Sequence, residues 1–183
     1  GTADVLRSEQ SVSLSITGDN EQKLPTAEMT EDFAPRETPI TIVVDAEGNG
    51  SYRSILGALS IAAHGDTLLV RPGVYREYVV IPSGVTLQAD ASVGASIDTP
   101  GESAVWIPPG VSKVTITGFS IGGARGVMVT GAKDVKIRHC RIVADGAERG
   151  NAIVATNTSA LLVEGCLLTG KHCGIVLDAT QAK

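Results

Sequence analysis

Aromatic side chains make up only 3% of this 183-residue chain, although 43% of its residues are hydrophobic. The interior must therefore be built from Val, Ile, Leu and Ala, which suits narrow coils with little room for rings. Lys and Arg form no dense cluster, and the formal net charge is -5. Nucleic-acid binding is not expected, because neutralising phosphates needs a basic stripe. No stretch reads as a membrane span or a signal peptide. No Gly-x-Ser-x-Gly elbow and no phosphate-binding Gly-Lys-Ser/Thr loop occurs. Lys171, His172 and Cys173 adjoin, but no second pair of ligands stands at metal spacing, so neither a metal nor another cofactor is expected. Three cysteines cannot all pair within one chain. Glycine, by contrast, is abundant at 21 residues, as many tight turns would require.

What the chain does have is a repeat. Segments 114–121, 135–142 and 161–168 share one pattern: an apolar strand, a small or polar pair, then a second apolar pair. Short apolar strands follow them at 126–129, 151–155 and 174–177, and two earlier segments, 78–84 and 104–110, match those. Ile81, Ile107, Val129, Ala155 and Leu177 are equivalent, at intervals of 26, 22, 26 and 22 residues. A period in the twenties with alternating strands signals a solenoid, whose coils bury their apolar side chains against their neighbours. Cys140 and Cys166 fall at the position of Phe119 and are expected to stack as small buried hydrophobes. Cys173 falls in a turn.

Residues 1–40 read differently. They are polar, carry Pro25, Pro35 and Pro39, and look like a linker or arm. Within them 11–17 alternates strictly between polar residues and Val12, Leu14 and Ile16, the signature of a half-buried strand. That strand is expected to add to a sheet edge, to the open end of the solenoid or to a partner chain. Residues 41–183 form the solenoid domain. Its first strand is expected at 41–44, a turn at 45–50 and a helix at 51–63, with Ile55, Ala58, Leu59 and Ala62 on one face. Ser51 or Ser54 would cap that helix and Gly65 would stop it. It would cover the open end of the first coil. No second helix follows Asp178, so the far end is expected to be bare, covered by 12–16 or occupied by another chain. The chain is therefore expected to be a fragment of a longer protein or an oligomer.

One stretch carries a family resemblance. Asp45-x-x-Gly-x-Gly-Ser-Tyr-x-Ser-Ile-x-x-Ala58 is followed by Gly65-Asp-Thr-x-x-Val-x-Pro-Gly-Val-Tyr-x-Glu77 and Val79-Val-Ile81. This resembles the start of the pectin methylesterases, within the pectin lyase-like superfamily of right-handed parallel β-helices. The match covers roughly residues 42 to 81, and the later coils fit the superfamily's generic repeat. The resemblance implies a right-handed parallel β-helix of about five coils, all-β apart from its capping helix, with three parallel sheets per coil. It also implies that any catalytic residues would lie on the outer face of the first sheet, formed by the strands ending near Ile81, Ile107, Val129, Ala155 and Leu177.

Strand alternation identifies the outer side chains of that face. If those five residues point inward, Val80, Trp106, Met128, Val154 and Val176 point out. Pro82, Pro108, Thr130, Thr156 and Asp178 would form the next outer row. Tyr78, Ala104, Gly126, Ala152 and Gly174 would form the other flank. An esterase needs two carboxylates here with an Arg and a Gln, and a calcium-dependent lyase needs a cluster of acidic oxygens with a basic residue. The face offers one carboxylate, Asp178, and no catalytic residue is assigned. The apolar stripe reads instead as a contact surface for a protein or for the flat face of a sugar, with Trp106 as anchor. Part of residues 1–40 could equally cover it. A second candidate surface is a basic patch of Lys136, Arg138, His139 and Arg141. Asp145, Glu148 and Arg149 lie in the longest turn, and 157–159 fits a glycosylation acceptor.

The leading expectation is a non-catalytic binding or scaffold module of a larger protein, with a protein partner, self-association or a polysaccharide as its contact. The alternative is an N-terminal fragment of a polysaccharide esterase or lyase whose catalytic coils lie beyond Lys183.

Overall fold

A computed structural model describes residues 38–90, 94–147 and 150–178. The strand expected at 11–17 lies outside them. The rest is a parallel β-solenoid of about six turns. On one face six strands stack in the order β1 (Thr41–Val44), β2 (Thr67–Val70), β5 (Thr86–Ala89), β7 (Ser112–Thr117), β9 (Lys133–Arg138) and β12 (Ser159–Glu164). The turn beyond the five expected is the first, where β1 lies outside the recognisable repeat. The remaining strands form a second sheet: β3 (Gly73–Tyr75), β4 (Val79–Val80), β6 (Ala95–Ile107), β8 (Ser120–Thr130), β10 (Arg141–Ala144), β11 (Asn151–Thr156), β13 (Leu167–Gly170) and β14 (Cys173–Asp178). Three sheets per coil were expected. Three ladders are present, but two of them merge into one sheet, because β6 and β8 run through a corner unbroken and join two faces of the coil.

The pairing is parallel and in register, so each interior side chain stands on its equivalent one turn away. Leu68, Leu87, Ile116 and Ile137 form one such buried ladder, and Ile97, Ile121 and Ile142 another. Phe119 and Cys140 follow the same rule at the corner, both buried, with Cys166 half-buried above them in the last turn. Corners need left-handed backbone at matching positions. Gly118, His139 and Gly165 share positive φ values of 83, 50 and 63. Gly165 is needed twice over, since a Cβ there would lie 2.5 Å from His139 Nδ1. Asn157, in the glycosylation-like triplet, is such a corner residue with φ 51, and the Thr158 hydroxyl donates back to the Val129 carbonyl at 3.3 Å.

The capping helix, α1, is shorter than expected. It spans Ile55–Leu59 rather than 51–63. Residues before it are held as extended chain, because the Asp45 N–H donates to the Tyr52 carbonyl and Tyr52 bridges Val44. Ser54 is the N-cap and accepts from the Gly57 N–H. After Leu59 the chain peels away, since Asp66 accepts from the Ala63 N–H at 2.7 Å and from the Ile40 N–H at 2.8 Å. Ile55, Ala58 and Leu59 are buried against the first turn, so the helix does cover that end. Ala62 is half-buried beyond its last turn.

The other residues of the opening motif also hold this cap together. The Glu77 carboxylate accepts from the Ile55 and Leu56 N–H groups at 3.1 and 2.8 Å, tying the helix start to the next turn. Asp45 Oδ1 accepts from the Glu47 N–H at 2.8 Å, and a Cβ at Gly50 would strike the Val43 carbonyl at 2.7 Å. The Tyr75 hydroxyl donates to the Arg71 carbonyl at 3.0 Å and accepts from the Ala46 N–H at 3.2 Å. Replacing Glu77 by Ala should orphan two helix-start donors and cost about 1–3 kcal/mol. A urea unfolding curve should show a lower midpoint with unchanged slope. An unmoved midpoint would show that water replaces the carboxylate without loss.

Candidate functional site

The outer column expected from alternation is present in register. Val80 pairs with Trp106, Trp106 with Met128, Met128 with Val154, and Val154 with Val176. All five are half-buried, while Ile81, Ile107, Val129 and Ala155 beside them are buried. With about 4.8 Å between strands, the stripe runs roughly 19 Å along the stack. Pro82, Pro108, Thr130 and Thr156 line one side, half-buried, with Asp178 exposed at the end.

The opposite flank is not as alternation suggests. Ala104, Gly126 and Ala152 are buried rather than outward. They sit where the chain turns the corner, and the β6–β8 pairing shifts register between Thr99 and Ser103. Two consecutive inward residues, Ala104 and Val105, result. A Cβ at Gly126 would run into Ile142 Cγ2 and the Ala152 carbonyl. The same bend carries two polar groups to the stripe that strict alternation missed. The Ser103 hydroxyl lies 2.9 Å from Met128 Sδ, and Arg125 Nη1 lies 3.5 Å from that sulfur. Tyr78 is 38% exposed at the same flank. Partial burial and the nearby Glu102 charge hold its phenol above the usual tyrosine range.

This face joins an aromatic anchor, a polarisable thioether and a guanidinium on a flat sheet. Such groups can pack against an apolar surface and donate hydrogen bonds along one edge. Its carboxylates do not converge. Glu102 and Asp178 belong to turns three strand steps apart, at least roughly 14 Å, beyond the ~5–9.5 Å over which paired carboxylates act on one glycosidic bond.

The basic residues are divided by a corner. Lys136 and Arg138 stand on β9, whereas Arg141 is exposed on β10 around the turn and His139 occupies the turn itself. Lys136 Nζ is 3.5 Å from Asp134, and Arg138 Nε is 3.0 Å from Glu164 Oε2 without being aligned as a hydrogen bond. Two of the four basic residues thus have a carboxylate beside them. Asp145 is exposed, and Glu148 and Arg149 lie outside the described residues. Lys171, His172 and Cys173 are exposed in the last turn. Among the described residues, no three His, Cys, Asp or Glu side chains gather as a metal would need, and no helix is long and apolar enough to cross a membrane. No family model matches the chain, and no curated protein matches it.

The cysteines differ in reach. Burial pushes the Cys140 thiol up to about 11, and its hydrogen bond to the Arg138 carbonyl is 3.1 Å long. Iodoacetamide at pH 8 should label exposed Cys173 first, Cys166 more slowly and Cys140 only on unfolding, as read by mass spectrometry of digests. A thiol pKa raised in the fold favours the folded state fully below the ordinary value of 9.0. That contribution should be lost as pH climbs from 9.0 to about 11. A Cys140→Ala variant should show a flatter loss of stability across that window.

Proposed function

We propose that this chain is a non-catalytic binding or scaffold module of a larger protein, whose outer sheet face makes contact with a protein, a second copy or a polysaccharide. One observation carries the reading: an apolar column, Val80-Trp106-Met128-Val154-Val176, stands in register on the outside of a sheet whose inner residues Ile81, Ile107, Val129 and Ala155 are buried. Scattered exposed apolar residues are ordinary, but a contiguous row rimmed by polar groups marks a contact site. Trp106 is its anchor, and Arg125, Thr130 and Thr156 are its polar rim, with Ser103 buried against Met128. The resemblance to pectin lyase-like β-helices agrees with the solenoid and with the choice of face.

The competing reading, a fragment of a polysaccharide-active enzyme, draws on the match over residues 42 to 81. The distinctive polar residues of that match act in the cap: Asp45, Ser54, Asp66, Tyr75 and Glu77 all bond backbone there. Those bonds give the match a role in folding, which supports the non-catalytic reading.

The test is the double variant Trp106→Ala, Met128→Ser. Both side chains are half-buried and outward, so circular dichroism and thermal midpoint should change little. Binding to a partner or glycan should fall by at least tenfold, the loss of about 1.4 kcal/mol expected when a central aromatic anchor is removed. Undiminished binding by a normally folded variant would sink the reading.

A further inference from the structure

Two hydrogen-bond donors converge on one thioether in the middle of the outer stripe. The Ser103 hydroxyl donates to Met128 Sδ at 2.9 Å, and Arg125 Nη1 donates to the same sulfur at 3.5 Å. Ser103 is buried, whereas Met128 is half-buried and faces outward between Trp106 and Val154. Described turns stack on both sides of it, so this geometry belongs to the body of the solenoid and not to an end.

The donors are poorly matched to the group they meet. A thioether sulfur is a weak acceptor, and a buried hydroxyl or a guanidinium spent on one forgoes a stronger partner. A methionine that only filled space would need neither donor. A sulfoxide oxygen bonded to the same sulfur is polar and a far better acceptor, and it would stand within reach of both.

We propose that Met128 is a reversible oxidation site for a hydroperoxide. The sulfur lone pair attacks the terminal peroxide oxygen, so that an S–O bond forms as the O–O bond breaks. The sulfur gives two electrons to the peroxide. The other peroxide oxygen takes the proton and leaves, as water from hydrogen peroxide or as an alcohol from an organic hydroperoxide. The Ser103 hydroxyl covers one lone pair at short range, so the oxidant enters at the side of the longer Arg125 contact. One sulfoxide epimer therefore forms in excess, with its oxygen accepting from the guanidinium. A methionine sulfoxide reductase restores the thioether, taking two electrons from a dithiol and releasing the oxygen as water. The consequence for binding rests on the reading of the stripe as a contact face. Oxidation places a dipole between Trp106 and Val154, and a partner that buries the row must desolvate it.

The experiment treats the full chain with hydrogen peroxide in a Met29→Leu background, which leaves Met128 as the one methionine. N-acetylmethionine is added as a competitor, and oxidation is read in digests by mass spectrometry. The peptides are then exposed to methionine sulfoxide reductase A or B, each of which removes the oxygen from one epimer. Met128 should be oxidised alongside the competitor. One epimer should be in at least roughly threefold excess, the bias that the net worth of a single hydrogen bond gives. Ser103→Ala and, separately, Arg125→Ala should bring the epimers close to parity with circular dichroism unchanged. Emission of Trp106, the chain's one tryptophan, should move to longer wavelength on oxidation and return on reduction. Equal epimers in the folded chain, a Met128 left intact while the competitor is consumed, or unmoved Trp106 emission would each overturn the inference. None of these readouts needs a partner. If they hold while Trp106→Ala, Met128→Ser leaves partner binding undiminished, the oxidation site stands and the contact reading alone falls.

Discussion

Everything in this structure depends on register between turns. Parallel pairing places each residue over its counterpart one turn away, so a side chain's environment is set for a whole column at once. Leu68, Leu87, Ile116 and Ile137 are buried together because they share one row. A slip of one residue would turn such a row to solvent and draw its polar neighbours inward. The corners prevent that slip. Lys113, Asp134 and Ala160 all take positive φ and are all skipped by the pairing, which runs from Ser112 to Val114 opposite Lys133 and Val135. An extra left-handed residue at the same place in successive turns resets alternation in step, at a tolerable strain for each.

A stack built this way has sound flanks and vulnerable ends. Every turn but the first and last finds its backbone partners in its neighbours. The first turn finds them in a local polar network, where Asp66 and Glu77 each take two backbone N–H groups. Charged acceptors are stronger than neutral ones, which compensates for the brevity of the five-residue helix they hold. That explains why so recognisable a motif can be conformational in purpose. Its residues are chosen by geometry at one end of a stack, and geometry at an end says little about chemistry on a flank.

The flank was largely legible in the chain. Val80, Trp106, Met128, Val154 and Val176 could be placed on one outward column because strand alternation is strict between corners. Legibility failed at the corners themselves. Ala104, Gly126 and Ala152 were assigned outward by counting back through a bend, and counting by twos loses its meaning where two successive residues turn inward. For the same reason Ser103 and Arg125 escaped notice, although Arg125 lies on the polar border of the stripe. Helix length failed differently. The apolar spacing of Ile55, Ala58, Leu59 and Ala62 is helical, but Asp66 competes for the Ala63 N–H and ends the helix early. Composition could not reveal that acceptor, because it acts through a turn. The basic residues 136–141 were correctly seen as outward, yet sequence proximity concealed the corner at His139 that sends Arg141 to another face.

The polar border gives the stripe a direction. Along one side Ser103 and Arg125 reach Met128 sulfur, and along the other Thr130 pairs with Thr156. A purely apolar row would accept any greasy surface in any orientation. On the proposed reading, a row with a cation on one side and hydroxyls on the other would discriminate, since a ligand placed the wrong way round would leave the guanidinium desolvated without an acceptor. Arg125 stands at its flank position beside the bend that buries Gly126, where the β6–β8 pairing shifts register between Thr99 and Ser103 and resumes with Ser103 opposite Arg125. The polar border of the stripe thus traces back to the pairing of the core: the interior ladder fixes the corner, and the corner sets Arg125 beside Met128.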